Sequence, residues 1–372
     1  MLNRISRRSI LAAPWLNYAA TTGGRWSAKK AKQWYARLPW LVGANYTPAS
    51  AINQLEMWQR ESFDLARIET ELGWASGLGM NTMRVFLHNL LWENDRAAFV
   101  ERIDRFLGVC ATHRIRPMFV VYDSVWHPQP KWGTQRAPTP GVHNSYWVQS
   151  PGAEILASDS LWGAQEDYVR GIIGRFRDDS RILAWDLWNE PDNDNANSYK
   201  TIELVGKGEV VARRLTDVFR WARAAKPEQP LTVGLWLNSD WSKLEKLNPV
   251  ERISLENSDI LSFHNYNDAA EFEKRAIWLK RFGRPVLCTE YMARGNKSTF
   301  EVILPVAKKH RVAAMNWGLV QGKTQTHLPW DSWKQPYVDR EPAVWFHEVF
   351  RADGTLYRPE EGELIRRMTG AK

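Results

Sequence analysis

Two periods of apolar residues alternate along the chain: short runs apolar almost throughout, then longer segments with apolar positions three or four apart. The run Ile182 to Trp188, I-L-A-W-D-L-W, is interrupted only by Asp186, as expected of a strand covered on both faces in a parallel sheet. Pro191 ends it, because proline lacks an amide hydrogen and restricts the residue before it. Runs of the same kind fall at Leu38–Tyr46, Asn81–Leu87, Arg116–Tyr122, Leu231–Trp236, Ile260–Phe263, Pro285–Thr289 and Val312–Trp317. Between them the helical period predicts helices over Glu61–Gly77, Ala97–His113, Trp162–Phe176, Ile202–Ala225, Ala270–Phe282 and Thr299–His310, with Pro342–Phe350 as a closing helix. Such repeated strand-helix alternation predicts an α/β chain folded as one (β/α)8 TIM barrel. No glycine-rich dinucleotide fingerprint follows any strand, which counts against an open nucleotide-binding sheet.

A barrel gathers the carboxyl ends of its strands on one face, so residues distant in sequence meet there. Asn189 and Glu190 stand at the end of the fourth predicted strand, and Glu290 at the end of the seventh. Taken alone, Glu190 could be an acidic loop residue that merely caps the next helix. Paired with Glu290 it becomes chemistry: glycosidic cleavage needs one carboxyl to protonate the departing oxygen and another to attack or to activate water. Arg84 is a cation inside an apolar strand, costly unless paired. The sixth strand runs into His264-Asn265-Tyr266. A loop from Asp123 to Asp159, carrying Trp126 and His127, is too long to be a mere connection. His88, His127 and His143 show no metal-ligand spacing, and neither metal nor cofactor is expected.

Composition adds two points. The chain of 372 residues contains 21 tryptophans, more than core packing usually requires, and flat indoles suit the apolar faces of sugar rings. Trp126, Trp132, Trp236, Trp241, Trp330 and Trp333 are the stacking candidates. The formal charge of +8 comes with no run of Lys and Arg interleaved with aromatics after residue 37, so a nucleic-acid partner is not expected. Cys110 and Cys288 fall inside apolar patterns and read as small buried hydrophobes. Residues 1–25 differ from the rest. Ser6-Arg7-Arg8-Ser9-Ile10-Leu11 resembles a twin-arginine export signal, and the apolar run to Ala20 is too short to span a membrane. Residues 26–372 are then the catalytic domain, in the periplasm or secreted, behind a Lys-rich, amphipathic and peripheral approach over Arg25–Arg37.

W-N-E-P at Trp188–Pro191 and T-E-Y at Thr289–Tyr291 make the chain resemble a clan A glycoside hydrolase, nearest to family five, the cellulase and mannanase family. Arg84, His264, Tyr266 and Trp317 fall at matching places in the same order, over roughly Leu38 to Phe350; Asp123 and His127, at the third strand end, depart from the pattern. The resemblance implies a retaining enzyme on β-linked glucan, mannan or xylan-type glycans, with Glu290 as nucleophile and Glu190 as acid/base. It makes Arg84 the residue that orients the nucleophile, Asn189 the ligand of the substrate 2-hydroxyl and Trp317 the aromatic floor; Trp126, Trp236 and His127 are further candidate substrate contacts. Arg84 is expected to depress the pKa of Glu290, and Trp185 and Trp188 to desolvate Glu190. The long loop and Gln321–Tyr337 are expected to close one end of the cleft around terminal sugars. The alternative is a carbohydrate-binding barrel that has lost its chemistry.

Overall fold

Residues 24–371 are described by the structure, a computed structural model; the export-like stretch Ser6–Leu11 lies outside them. Parallel strands β1 (Val42–Asn45), β2 (Thr82–Phe86), β3 (Arg116–Asp123), β4 (Ala184–Asn189), β5 (Leu231–Thr232), β6 (Leu261–Asn265), β7 (Val286–Tyr291) and β8 (Ala313–Asn316) pair in the order β5-β4-β3-β2-β1-β8-β7-β6. The two end strands then meet: Leu235 N donates to Ser262 O and His264 N to Leu235 O, both at 2.9 Å. The predicted strand Leu231–Trp236 therefore pairs with β4 over its first two residues and with β6 through Leu235, which closes the barrel.

Nearly every strand residue is buried on both faces, as the unbroken apolar runs required. Each large apolar side chain so buried contributes about 1.5–3 kcal/mol. Gly43 marks the tightest approach, since a Cβ there would lie 1.7 Å from Thr82 O on β2.

Helices of eight residues or more are α1 (Ala28–Ala36), α2 (Leu65–Gly77), α3 (Asn89–Thr112, kinked at Asp95), α4 (Asp159–Arg175), α5 (Lys207–Ala224), α6 (Pro249–Asn257), α7 (Ala269–Lys280), α8 (Phe300–Lys309) and α9 (Pro359–Thr369). Three expectations are corrected. The Lys-rich approach is amphipathic but not peripheral: Trp26, Ala31 and Tyr35 pack with Leu41, Met118, Leu183, Ile260, Leu287 and Met315 at the amino-terminal end of the strands. Helix α5 begins five residues later than the helical period suggested, behind Gly206 in a left-handed conformation. Pro342–Phe350 is no helix at all. Its backbone is claimed by tertiary partners: Arg294 donates to the carbonyls of Trp345, His347 and Glu348, and Val349 N and Phe350 N donate to Leu319 O. The closing helix is α9, started by Pro359 and tied to the same arginine through Glu361 at 2.8 and 2.5 Å.

Candidate active site

At the carboxyl ends of the strands, β2, β4, β6 and β7 bring Arg84, Glu190, His264 and Glu290 together. Arg84 is fully buried and donates through Nη1 to Glu290 Oε1 at 2.6 Å. Tyr266 donates to the other oxygen, Oε2, at 2.7 Å. Glu190 has different company: its Oε2 accepts from Asn193 Nδ2 at 2.6 Å, and His264 Nδ1 lies 3.0 Å from its Oε1. The same His264 nitrogen is 3.4 Å from Glu290 Oε2. One oxygen of each carboxyl and a ring nitrogen of His264 all fall within 4.8 Å of one another, and both carboxyls are engaged in hydrogen bonds.

The backbone at Glu190 is held at φ 42°, in the left-handed region, while Pro191 restricts it from the other side. Such a conformation costs on the order of 1–3 kcal/mol in a non-glycine residue and persists only where surroundings enforce it. The side chain of Glu190 lines the cleft and meets His264 and Asn193 there.

Burial raises the Glu190 carboxyl to about 7, against a partly offsetting hydrogen bond from Asn193. The desolvation expected from Trp185 and Trp188 has another source. Those indoles sit in the layer between strands and helices, Trp185 against Phe119 and Trp188 against Tyr122 and Trp162. Burial also moves Glu290 upward, opposed by His264 and Arg84, which corrects the expectation of a depressed carboxyl. What separates the two acids is the company they keep. A proton shared by the pair is best placed on Glu190, which touches no cation, and the negative charge on Glu290, which touches Arg84. His264 itself is lowered to about 4 by burial, so its ring is neutral near pH 7 and carries a single N–H.

Asn189 is locked from both sides. Its Oδ1 accepts from Arg84 Nη2 at 2.8 Å, and Nδ2 donates to Asp123 Oδ1 at 2.9 Å. An amide carries two N–H donors, so one is left for the cleft. The cleft, of about 650 Å3, is lined by Asn189, Glu190, His264, Tyr266, Glu290 and four of the predicted indoles, Trp126, Trp236, Trp330 and Trp333, as well as Trp317. Trp317 is held edge-on by Phe86 and Trp147 at ring-centre distances of 6.0 and 6.2 Å. Trp236 is anchored at 2.7 Å to Asp192, which also accepts from Asn248 at 3.0 Å.

Three predicted contacts are not brought there. His127 packs its ring between Tyr146 and Tyr199, outside the cleft lining. Trp241 is fully buried against Phe263, and Trp132 does not line the cleft. Arg84 does reach the site: completely covered, it bonds Glu290, the carboxyl it was expected to orient. Sequence reasoning missed Asn193, whose only signal was its place three residues after Glu190, and the structural weight of Asp123 and Asp186.

The β3 and β8 loops are stitched together beside the cleft. Asn144 N donates to Thr324 O at 2.8 Å, His143 N to Ser332 Oγ at 3.0 Å, and Tyr337 N to Gly141 O at 2.9 Å. Gln325 Nε2 adds Thr139 O at 2.8 Å, and the rings of Trp126 and Trp333 meet at 6.0 Å. These contacts make one continuous wall.

A family profile described as Cellulase (glycosyl hydrolase family 5) matches residues 37–335. None of the curated proteins matches the chain in sequence. Among solved structures, GH5_18 from Streptomyces cattleya in complex with GlcNAc is 15% identical with a TM-score of 0.58, covering 90% of this chain and 82% of that one. The exo-beta-1,4-mannosidase Op5Man5 from Opitutaceae bacterium strain TAV5 is 18% identical with a TM-score of 0.56, covering 89% and 60%. The endo-beta-1,4-mannanase from Thermotoga petrophila is 13% identical with a TM-score of 0.55, covering 89% and 76%. At these identities the likeness is one of fold.

Proposed function

Because the chain belongs to glycosyl hydrolase family 5, a retaining family, and is a glycoside hydrolase acting on β-linked glycans, we propose that it removes terminal sugars from short β-linked chains by double displacement, with Glu290 as nucleophile and Glu190 as acid/base. One observation carries this reading: two carboxyls with oxygens within 4.8 Å, one bound to a buried arginine and the other to no cation. Retaining enzymes hold their carboxyls about 5–5.5 Å apart, inverting ones about 6.5–9.5 Å.

In the first step Glu190 gives its proton to the glycosidic oxygen as Glu290 attacks the anomeric carbon, and the bond to the leaving group breaks. A glycosyl ester of Glu290 results. Glu190, now ionised, takes a proton from water, which attacks the same carbon and releases Glu290 as a carboxylate. His264 Nδ1–H stands within reach of both acids and donates to whichever is charged. The free N–H of Asn189 is available to the sugar 2-hydroxyl, and Trp317 supplies the ring floor.

The wall joining the β3 and β8 loops supports an exo-acting pocket, since a long chain would have to pass through Trp126 and Trp333. Structural neighbours that include an exo-β-1,4-mannosidase and an enzyme in complex with Manβ1-4GlcNAc favour a β-mannoside as the first substrate to try. On defined β-1,4-manno-, gluco- and xylo-oligosaccharide series, one sugar at a time is expected from one end, released first as the β-anomer by proton NMR. Release of disaccharides and longer fragments ahead of the monosaccharide would overturn exo action, and an α-anomer would overturn retention.

Export is part of the same proposal and rests on Ser6-Arg7-Arg8. Amino-terminal sequencing of protein secreted by the native host should find a start beyond Ala20; an intact Met1 sinks it.

A further inference from the structure

Arg84 has five N–H donors, and all five are spent. Nε and Nη2 both reach Asp186 Oδ2, at 2.9 and 2.8 Å. Nη2 also reaches Asn189 Oδ1 at 2.8 Å, while Nη1 divides between Glu290 Oε1 at 2.6 Å and Asn45 Oδ1 at 2.9 Å. The side chains of Arg84 and Asp186 are both wholly covered. One buried positive charge thus stands between two carboxylates, Asp186 wholly covered and Glu290 open only to the cleft.

We propose that Asp186 is a positioning residue that divides the charge of Arg84 and so keeps Glu290 basic enough to attack; the proposal rests on Glu290 being the nucleophile. Were Arg84 to face Glu290 alone in this buried site, the ion pair would stabilise the carboxylate and blunt its nucleophilicity. Asp186 takes two of the five donors and sets its own charge on the far side of the guanidinium. Those two bonds, with the amides of Asn45 and Asn189, also fix the plane from which Nη1 meets Glu290.

The other ionisable groups facing Glu290 are Glu190 at the end of β4, His264 on β6 and Tyr266 just beyond it; Asn45 on β1 is neutral. Asp186 faces Arg84 and, more remotely, His264. Burial drives the carboxyls of both Asp186 and Glu290 upward and Arg84 opposes it at each, the pattern of one cation serving two anions.

Asp186→Asn keeps the shape and removes the charge. With Arg84 then paired to Glu290 alone, the acid limb of kcat/KM should move to lower pH by about one unit. Attack should slow roughly tenfold on substrates with poor leaving groups. Turnover of a 2,4-dinitrophenyl glycoside, limited by breakdown of the glycosyl ester, should not fall in step, because a more acidic Glu290 is the better leaving group. An unmoved limb, with both steps unchanged or falling together, would overturn the proposal and leave a structural role. Should the asparagine variant fail to fold, Asp186→Glu retains the charge and is expected to hold the acid limb at its wild-type position despite a lower rate; a shifted limb there overturns the proposal too. The premise is tested separately: if Glu290→Ala remains active the nucleophile is wrong, whereas an inactive Glu290→Ala beside an unmoved limb in Asp186→Asn refutes only the role of Asp186.

Discussion

Glu290→Ala is expected to lower turnover of an aryl β-glycoside by about 10⁴-fold or more, some 5 kcal/mol of barrier, and azide is expected to restore it. The loss is large because the variant removes the attacking atom itself. Arg84 keeps both bonds to Asp186, but its Nη1 loses the Glu290 carboxylate in a buried site, so the variant should also lose stability, by about 1–3 kcal/mol for a buried donor left without that partner. Azide is small and anionic, fits where the carboxylate was and is drawn by Arg84. Attack from that side yields an α-glycosyl azide from a β-glycoside. Near-wild-type activity in Glu290→Gln would dismiss the assignment, as would rescue that yields the β-azide.

The second large effect belongs to Glu190 and depends on the leaving group. Substrates that need protonation should slow about 10²- to 10⁴-fold in Glu190→Ala. Activated dinitrophenyl glycosides should still form the glycosyl ester, which then accumulates for want of a base. Azide attacking that ester gives the β-azide, opposite to the product expected from Glu290→Ala. The pH profile follows from the raised carboxyl of Glu190, at about 7. A raised pKa means the acid form is present below pH 7 and lost above it. Wild-type kcat/KM should therefore decline about tenfold per pH unit on the alkaline side, and that limb should vanish in Glu190→Ala. A variant that keeps the alkaline limb would assign it to another group.

Much of this site was legible because a barrel converts strand ends into a common face. Counting apolar runs was enough to bring Glu190 and Glu290 together, and Arg84 was conspicuous as a cation where only a buried partner could justify it. The failures were those of tertiary override. Pro342–Phe350 has the apolar content of a helix, yet Arg294, far away in sequence, takes the carbonyls that a helix would need. His127 stood next to a cleft tryptophan but packs on Tyr199 instead. Helix α6 did carry a signal that went unused, Asn248-Pro249 with Glu251 three residues on, a capping box realised in the structure. The upward shift of Glu290 could not have been read from neighbours in sequence, since it depends on how completely the site is covered.

Helix α1 bears on where the folding unit begins. The profile shared with the family starts at residue 37, but the grip on this chain starts earlier. Arg25 donates to Ser258 O and Leu255 O at 2.9 Å each, Trp26 N to Asp259 Oδ1 at 2.7 Å, and Arg284 back to Trp26 O at 2.9 Å. Each of these bonds joins a side chain to a backbone atom, so the segment works as a latch that depends on Arg25, Asp259 and Arg284. A chain trimmed back to the family boundary would unlatch it and expose Leu41, Met118, Leu183, Ile260 and Leu287 to water at the end opposite the chemistry. Any processing of the amino terminus that spares the barrel must therefore cut ahead of Arg25.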